Sequence, residues 1–99
     1  MNNFSVKEEN NLVNIKMPKE FNFNCYKEFR DIYMKAPNSQ KFKLDFSMTD
    51  FVDSSALGML LQLREYTGEK SEQVLLVNSS DSVKNIFKVA NFDKLFTVN

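Results

Sequence analysis

The stretch Asp45-Phe46-Ser47-Met48-Thr49-Asp50-Phe51-Val52-Asp53-Ser54-Ser55-Ala56-Leu57-Gly58-Met59-Leu60-Leu61 decides the fold of this chain. Its left end closes a run in which Phe42, Leu44 and Phe46 alternate with Lys43 and Asp45, the period of a β-strand. Its right end opens a helix expected from Asp53 to Tyr66, and Asp53 and Ser54 are both residue types that cap a helix start. A strand leading through a short loop into a helix is the building unit of an α/β sheet. Right-handed crossovers place the loop after Phe46 at the carboxyl end of its strand, where sites gather in open sheets.

On either side the same alternation continues. Phe4 to Lys7 and Leu12 to Lys16 are short alternating runs separated by polar residues, a hairpin or two neighbouring strands that Pro18 then ends. Asn24 to Lys35 fits a helix whose stripe is Tyr26, Phe29, Tyr33 and Ala36, with Pro37 as the stop. Val74 to Val77 has the length of a central strand buried on both faces. Ser80 to Ala90 fits a third helix, with Asn91 suited to a left-handed C-terminal position and Leu95 to Val98 as a last strand. The expectation is an α/β fold with one mixed β-sheet of four to five strands and three to four α-helices.

Composition sets the outer bounds. Ninety-nine residues make one domain, 1–99, with a single modest core. Thirteen basic and thirteen acidic residues leave no net charge, which argues against a whole-domain grip on nucleic acid or an anionic membrane. No apolar run has the length of a bilayer span, and Met1 is not followed by a basic-then-apolar leader, so a cytoplasmic protein is expected. One Cys allows no internal disulfide. The absence of His removes the commonest general base and metal ligand, and no Gly-rich phosphate loop or nucleophile–base pair is present. Neither an enzyme nor a cofactor site is expected. Asp45, Asp50 and Asp53 do not have the spacing of a calcium loop, so no metal site is expected either.

The first turn of the second helix is where chemistry concentrates. Its unpaired N–H groups and partial positive charge favour a phosphate on a hydroxyl placed there. From Asp45 to Ser55 there are three Asp and no Lys or Arg, so a phosphate would add charge of its own sign to its surroundings. Leu57, Met59, Leu60, Leu61 and Leu63 cover roughly 200° of the helix, more than the ~100° stripe needed to lie on a sheet. Met59 and Leu63, at one edge of that arc, are the expected partner contacts, against the simpler reading in which all five are core. Cys25 is expected to be structural. Lys35, Lys41 and Lys43 are read as a solvated edge that discourages strand pairing, and the ten Phe as mostly core.

Asp53-Ser54-Ser55-Ala56-Leu57-Gly58 closely resembles the Asp-Ser-Ser-Gly-Leu-Gly signature of STAS domains, the anti-sigma factor antagonist family, and the resemblance in element order extends over essentially the whole chain. It implies a partner-switching regulator that binds a GHKL-type serine kinase acting also as an anti-sigma factor. Phosphorylation of a signature serine weakens that complex, and a PP2C-type phosphatase reverses it. Residue by residue, the acceptor falls on Ser55, with Ser54 the alternative. Asp53 orders the acceptor loop, Gly58 allows close helix packing, and Asp53, Ser54, Ser55 and Ala56 join Met59 and Leu63 in the partner surface. Two departures stand out. Ala56 replaces the commoner Gly, which stiffens the first turn. Pro18-Lys19-Glu20-Phe21-Asn22-Phe23-Asn24 replaces a Gly-Glu-Leu-Asp-like stretch, leaving Asn where the family carries an acid. The alternative within the family is a non-phosphorylated scaffold or accessory subunit of a larger transport or signalling assembly.

Overall fold

The computed structural model describes residues 4–37 and 40–99. Met1, where the leader reading starts, lies outside them. Strand β1 (Ser5–Glu9) turns through Asn10 and Asn11 into β2 (Leu12–Lys16). Both asparagines have positive φ, 51° and 64°, the left-handed pair that a two-residue hairpin turn requires. After Pro18 come the two-residue β3 (Glu20–Phe21), a 3₁₀ turn at Phe23–Cys25 and helix α1 (Tyr26–Met34). Strand β4 (Lys41–Asp45), the short β5 (Phe51–Val52) and helix α2 (Ser54–Tyr66) follow. The chain continues with β6 (Val74–Val77), helix α3 (Asp81–Val89) and β7 (Thr97–Val98). Asn91 has φ 61°, the left-handed position expected for it, and it opens a 3₁₀ turn at Phe92–Lys94, after which the last strand begins at Thr97 rather than at Leu95.

The main sheet has the order β1-β2-β4-β6-β7, with β1 antiparallel to β2 and every other pair parallel. This is the mixed sheet the alternation implies. A separate two-residue parallel ladder joins β3 to β5. Pairing carries the rows Val6–Ile15–Leu44–Leu76–Val98 and Glu8–Val13–Phe42–Val74 across one face. Ile15, Leu44, Leu76, Val13, Phe42 and Val74 are all buried there, in one cluster with Phe29 and Tyr33 of α1, Leu60 and Leu63 of α2, and Val83 and Phe87 of α3. On the opposite face Asn14, Lys43, Leu75 and Thr97 form a half-buried row. The helices therefore cover one side of the sheet. Leu75 is only half-buried for that reason, while Val77 on the same face is buried, so the expectation of burial on both faces holds at Val77 and fails at Leu75.

The basic-edge reading of Lys41 and Lys43 is corrected by the topology. β4 is the middle strand, and these lysines lie on the face opposite the helices, where their ends reach water while the strand pairs on both sides. Eight of the ten Phe are buried; Phe23 and Phe51 are exposed. Most of the buried rings touch in sequence: Phe4 on Phe29, Phe29 on Phe21, Phe21 on Phe46, Phe46 on Phe87, Phe87 on Phe92 and Phe92 on Phe96, with centroids 4.9 to 6.4 Å apart.

Candidate functional site

The loop between β4 and α2 is held at both ends. Asp45 Oδ1 accepts from the Ser47 backbone N–H at 2.9 Å and from Asn78 Nδ2 at 3.1 Å. Partial burial opposes the charged form of Asp45, but these bonds and the nearby Lys16 outweigh it and hold the carboxyl below its usual range. The buried Thr49 hydroxyl donates to the Pro18 carbonyl at 2.7 Å. The Asp50 N–H donates to the Lys19 carbonyl at 2.8 Å and the Asp53 N–H to the Phe21 carbonyl at 3.3 Å. The Pro18–Asn24 segment thus braces the loop through the β3–β5 ladder. Asn22 acts locally, since its side chain accepts from the Asn24 N–H at 3.0 Å and caps the 3₁₀ turn.

Asp53 begins α2 with extended backbone, as an N-cap does. One oxygen, Oδ1, accepts twice: from the Ala56 N–H at 2.9 Å and from the Ser55 hydroxyl at 2.9 Å. Ser55 is half-buried and its hydroxyl is oriented by the capping carboxylate, whereas Ser54 is exposed. The two serines thus differ in environment although they are adjacent. The local charge is less one-sided than the run from 45 to 55 implies, because Lys19, from outside that run, sits 3.8 Å from Asp50.

Met59 and Leu63 are corrected. They are buried, at 4% and 0% exposure, and present no side chain to a partner in this structure. The helix lies on the sheet through Ala56, Met59, Leu60, Leu63 and Thr67, spaced i, i+3, i+4, i+7 and i+11. The small Ala56 marks the centre of that stripe; weighing only the large side chains shifts the apparent centre and picks the wrong edge. The opposite side carries Ser54, Gly58, Leu61 and Glu65, all exposed. Gly58 does not serve close packing within the fold either: a Cβ there would meet nothing within 4 Å. Ala56, by contrast, is fully buried, which sets its methyl in the core.

Three exposed apolar side chains surround the serines in sequence: Met48 and Phe51 on the loop and Leu61 on α2. Met48 and Phe51 were not singled out from the sequence. A two-residue strand such as Phe51–Val52 is too short to show a period, so nothing distinguishes its outward ring from its inward valine. Glu20, exposed and paired with Phe51 across the short ladder, was missed for the same reason. Among the described residues no group of three His, Cys, Asp or Glu side chains is arranged to hold a metal ion. No helix there is long and apolar enough to cross a membrane.

Comparison with known proteins agrees with this architecture. The family model for the STAS domain matches residues 3–99. A STAS-domain containing protein of Pseudomonas aeruginosa (strain UCBPP-PA14) is 35% identical over 88 residues, covering 88% of this chain and 87% of that protein. Among solved structures, a candidate anti-sigma factor antagonist from Thermotoga maritima superposes with a TM-score of 0.81 at 19% identity, over 96% of this chain and 84% of the other. The anti-sigma factor antagonist SpoIIAA in its unphosphorylated form gives 0.80 at 18% identity, over 97% and 87%. The phosphorylated form of the Bacillus cell fate determinant SpoIIAA gives 0.70 at 18% identity, over 97% and 90%. At these identities the structures speak for the fold.

Proposed function

The chain belongs to the STAS domain family, and from that premise we propose that it is an anti-sigma factor antagonist-like partner-switching regulator. In its unmodified form it binds a serine kinase of the GHKL type that doubles as an anti-sigma factor. Phosphorylation of Ser55 releases the complex, and a PP2C-type phosphatase resets it. It works in the cytoplasm as a binding protein, without turnover of its own. The observation that carries this reading is the bond from the Ser55 hydroxyl to Asp53 Oδ1 at the N-terminus of α2, in a stretch of chain that also exposes Met48, Phe51, Ser54 and Leu61.

The switch follows from electrostatics. A phosphoryl group replaces the hydroxyl proton that Asp53 accepts and adds about −1.5 to −2 charge. With the carboxylate 2.9 Å from the serine oxygen, the phosphate turns away from Asp53 and outward, toward any bound partner. A partner surface complementary to Met48, Phe51 and Leu61 would then bury an unpaired charge. That costs several kcal/mol, and about 2.8 kcal/mol is already a hundredfold loss of affinity. Asp53 keeps the Ala56 cap in either state, so release needs no refolding of the helix.

The test is phosphosite mass spectrometry on protein recovered from its native host, with serine kinases of this type intact or deleted, paired with kinase-binding assays. A kinase-dependent phosphate on Ser55 supports the reading; one on Ser54 moves the acceptor. Ser55→Ala is expected to hold the bound form and Ser55→Asp to weaken it. An unmodified peptide while the kinase is active, with Ser55→Asp binding unchanged, would favour the scaffold or accessory reading.

A further inference from the structure

We propose that Asp53 is a catalytic residue of the phosphoryl transfer onto this chain: its carboxylate takes the proton of the Ser55 hydroxyl, so the substrate brings the base for its own modification. The inference rests on the switch reading above and goes beyond the ordering role of Asp53. A general base has to lie within about 2.6–3.2 Å of the oxygen it deprotonates. The Ser55 hydroxyl donates to Asp53 Oδ1 at 2.9 Å, with no partner bound. Capping requires the Ala56 N–H alone, and the second bond, to the hydroxyl, is what a cap leaves unexplained.

The carboxylate is held in place for this task. The Asp53 N–H donates to the Phe21 carbonyl at 3.3 Å, which ties its backbone to the β3–β5 ladder. Oδ1 also accepts from the Ala56 N–H at 2.9 Å. A carboxylate oxygen offers two lone pairs, so one holds the helix while the other faces the hydroxyl proton. No ion pair of the described residues involves Asp53, so no cation competes with that proton. Other bases are lacking in the chain itself. It contains no His, and Asp50 lies 3.8 Å from the Lys19 ammonium. Among the described residues no acid accepts from the Ser54 hydroxyl. The base therefore selects Ser55, although the exposed Ser54 is easier to reach.

The step balances as follows. Ser55 Oγ attacks the γ-phosphorus of ATP held by the kinase. The Oγ–P bond forms as the bond from that phosphorus to the β–γ bridging oxygen breaks, and ADP leaves with its electron pair. The hydroxyl proton passes to Asp53 Oδ1 and then to water, which the half-buried carboxylate can reach. A loose phosphoryl transfer asks little of its nucleophile beyond orientation and a place for the proton, and one oxygen supplies both. Once deprotonated again, Asp53 repels the new phosphate and drives the outward turn on which release depends.

The kinase source for the test is an extract of native host cells supplied with γ-³²P-ATP. Initial rates of labelling at Ser55, located by mass spectrometry, are read over a range of concentrations of this protein. Asp53→Asn caps the helix and orients the hydroxyl but does not hold a proton. Its limiting rate is expected to fall about 10²–10⁴-fold, with the half-saturating concentration within about threefold of wild type. Asp53→Gly keeps a tolerated cap residue and leaves room for formate, which should raise its labelling at least about tenfold and leave Asp53→Asn unchanged. A merely structural loss would not respond to formate. An Asp53→Asn limiting rate within about threefold of wild type overturns the proposal, because the base then belongs to the kinase. A loss confined to the half-saturating concentration also overturns it, since Asp53 is then only a kinase contact. So does Asp53→Gly labelling that formate leaves where it was. Wild-type protein left unlabelled at Ser55 refutes the switch reading itself, and this inference with it.

Discussion

Replacing Asp53 tests the candidate site most directly, because a single oxygen there does two things. In Asp53→Ala the Ala56 N–H loses its cap, worth about 1 kcal/mol with a range of roughly 0.5–2. The Ser55 hydroxyl loses its acceptor as well. A hydrogen bond to a charged group contributes about 1.5–3 kcal/mol when buried, but both residues are half-buried here, so about 0.5–1 kcal/mol is the appropriate share. The sum is about 1.5–2 kcal/mol. For a domain of this size that lowers the melting temperature by roughly 6–16 °C. Asp53→Asn keeps a capping oxygen and should lose only about 0.5 kcal/mol. Ser55→Ala breaks the same hydroxyl bond from the other side, so Asp53→Ala and Ser55→Ala should fall short of additivity by about 0.5–1 kcal/mol. Thermal and urea unfolding followed by circular dichroism, on both single variants and the double, measures each quantity. Asp53→Ala melting with the wild type, or a double variant equal to the sum of the singles, would refute the shared-oxygen geometry and with it the ordering of the acceptor serine.

Three other perturbations have signs that the structure sets. Asp45 carries a lowered pKa, so it stabilises the fold fully above the unfolded value of 3.8 and loses that contribution as pH falls through the lower folded value; acid titration of unfolding should be shallower below about pH 4 in Asp45→Asn. Gly58→Ala, on an exposed helix face with open space for the methyl, should raise stability by about 0.8–1 kcal/mol in urea titration. If the face docks a partner closely, the same change weakens that complex. Leu60→Ala, at a fully buried position on the sheet side of α2, should cost about 2–5 kcal/mol, and a loss under 1 kcal/mol would contradict the packing of that helix.

The elements that could be read in advance are those long enough to display a period. Phe42, Leu44 and Phe46 alternate on the core face, Phe29 and Tyr33 line α1's inner side with the buried Ala36 just beyond its end, and Val83 and Phe87 line α3's. The α2 cap was legible as a residue type, since Asp53 accepts from the Ala56 N–H; Ser80, read only as the start of the third helix, caps α3 in the same way through the Val83 N–H. The β3–β5 ladder was not, because two residues contain no repeat and its pairing is made by a contact across thirty residues of chain. The same limit hid the bracing of the site loop by Pro18 and Lys19. α2 was legible as a helix but not in its rotation. Its apolar residues exceed one stripe, and what orients it is the small Ala56 and the polar Thr67, both buried, which a count of large side chains passes over.

The line of touching rings from Phe4 to Phe96 has a consequence for how the molecule opens. It runs from the hairpin, through α1 and the middle strand, to α3 and the turn before β7. Neither end of the chain can detach without exposing a ring on which the next one rests. Opening therefore proceeds in one cooperative unit, and the slowest-exchanging amides of β2, β4 and β6 should share a single exchange free energy equal to that of global unfolding. Phe46→Leu, which breaks the line at its midpoint, should split that common value into two, one for the hairpin side and one for the α3 side.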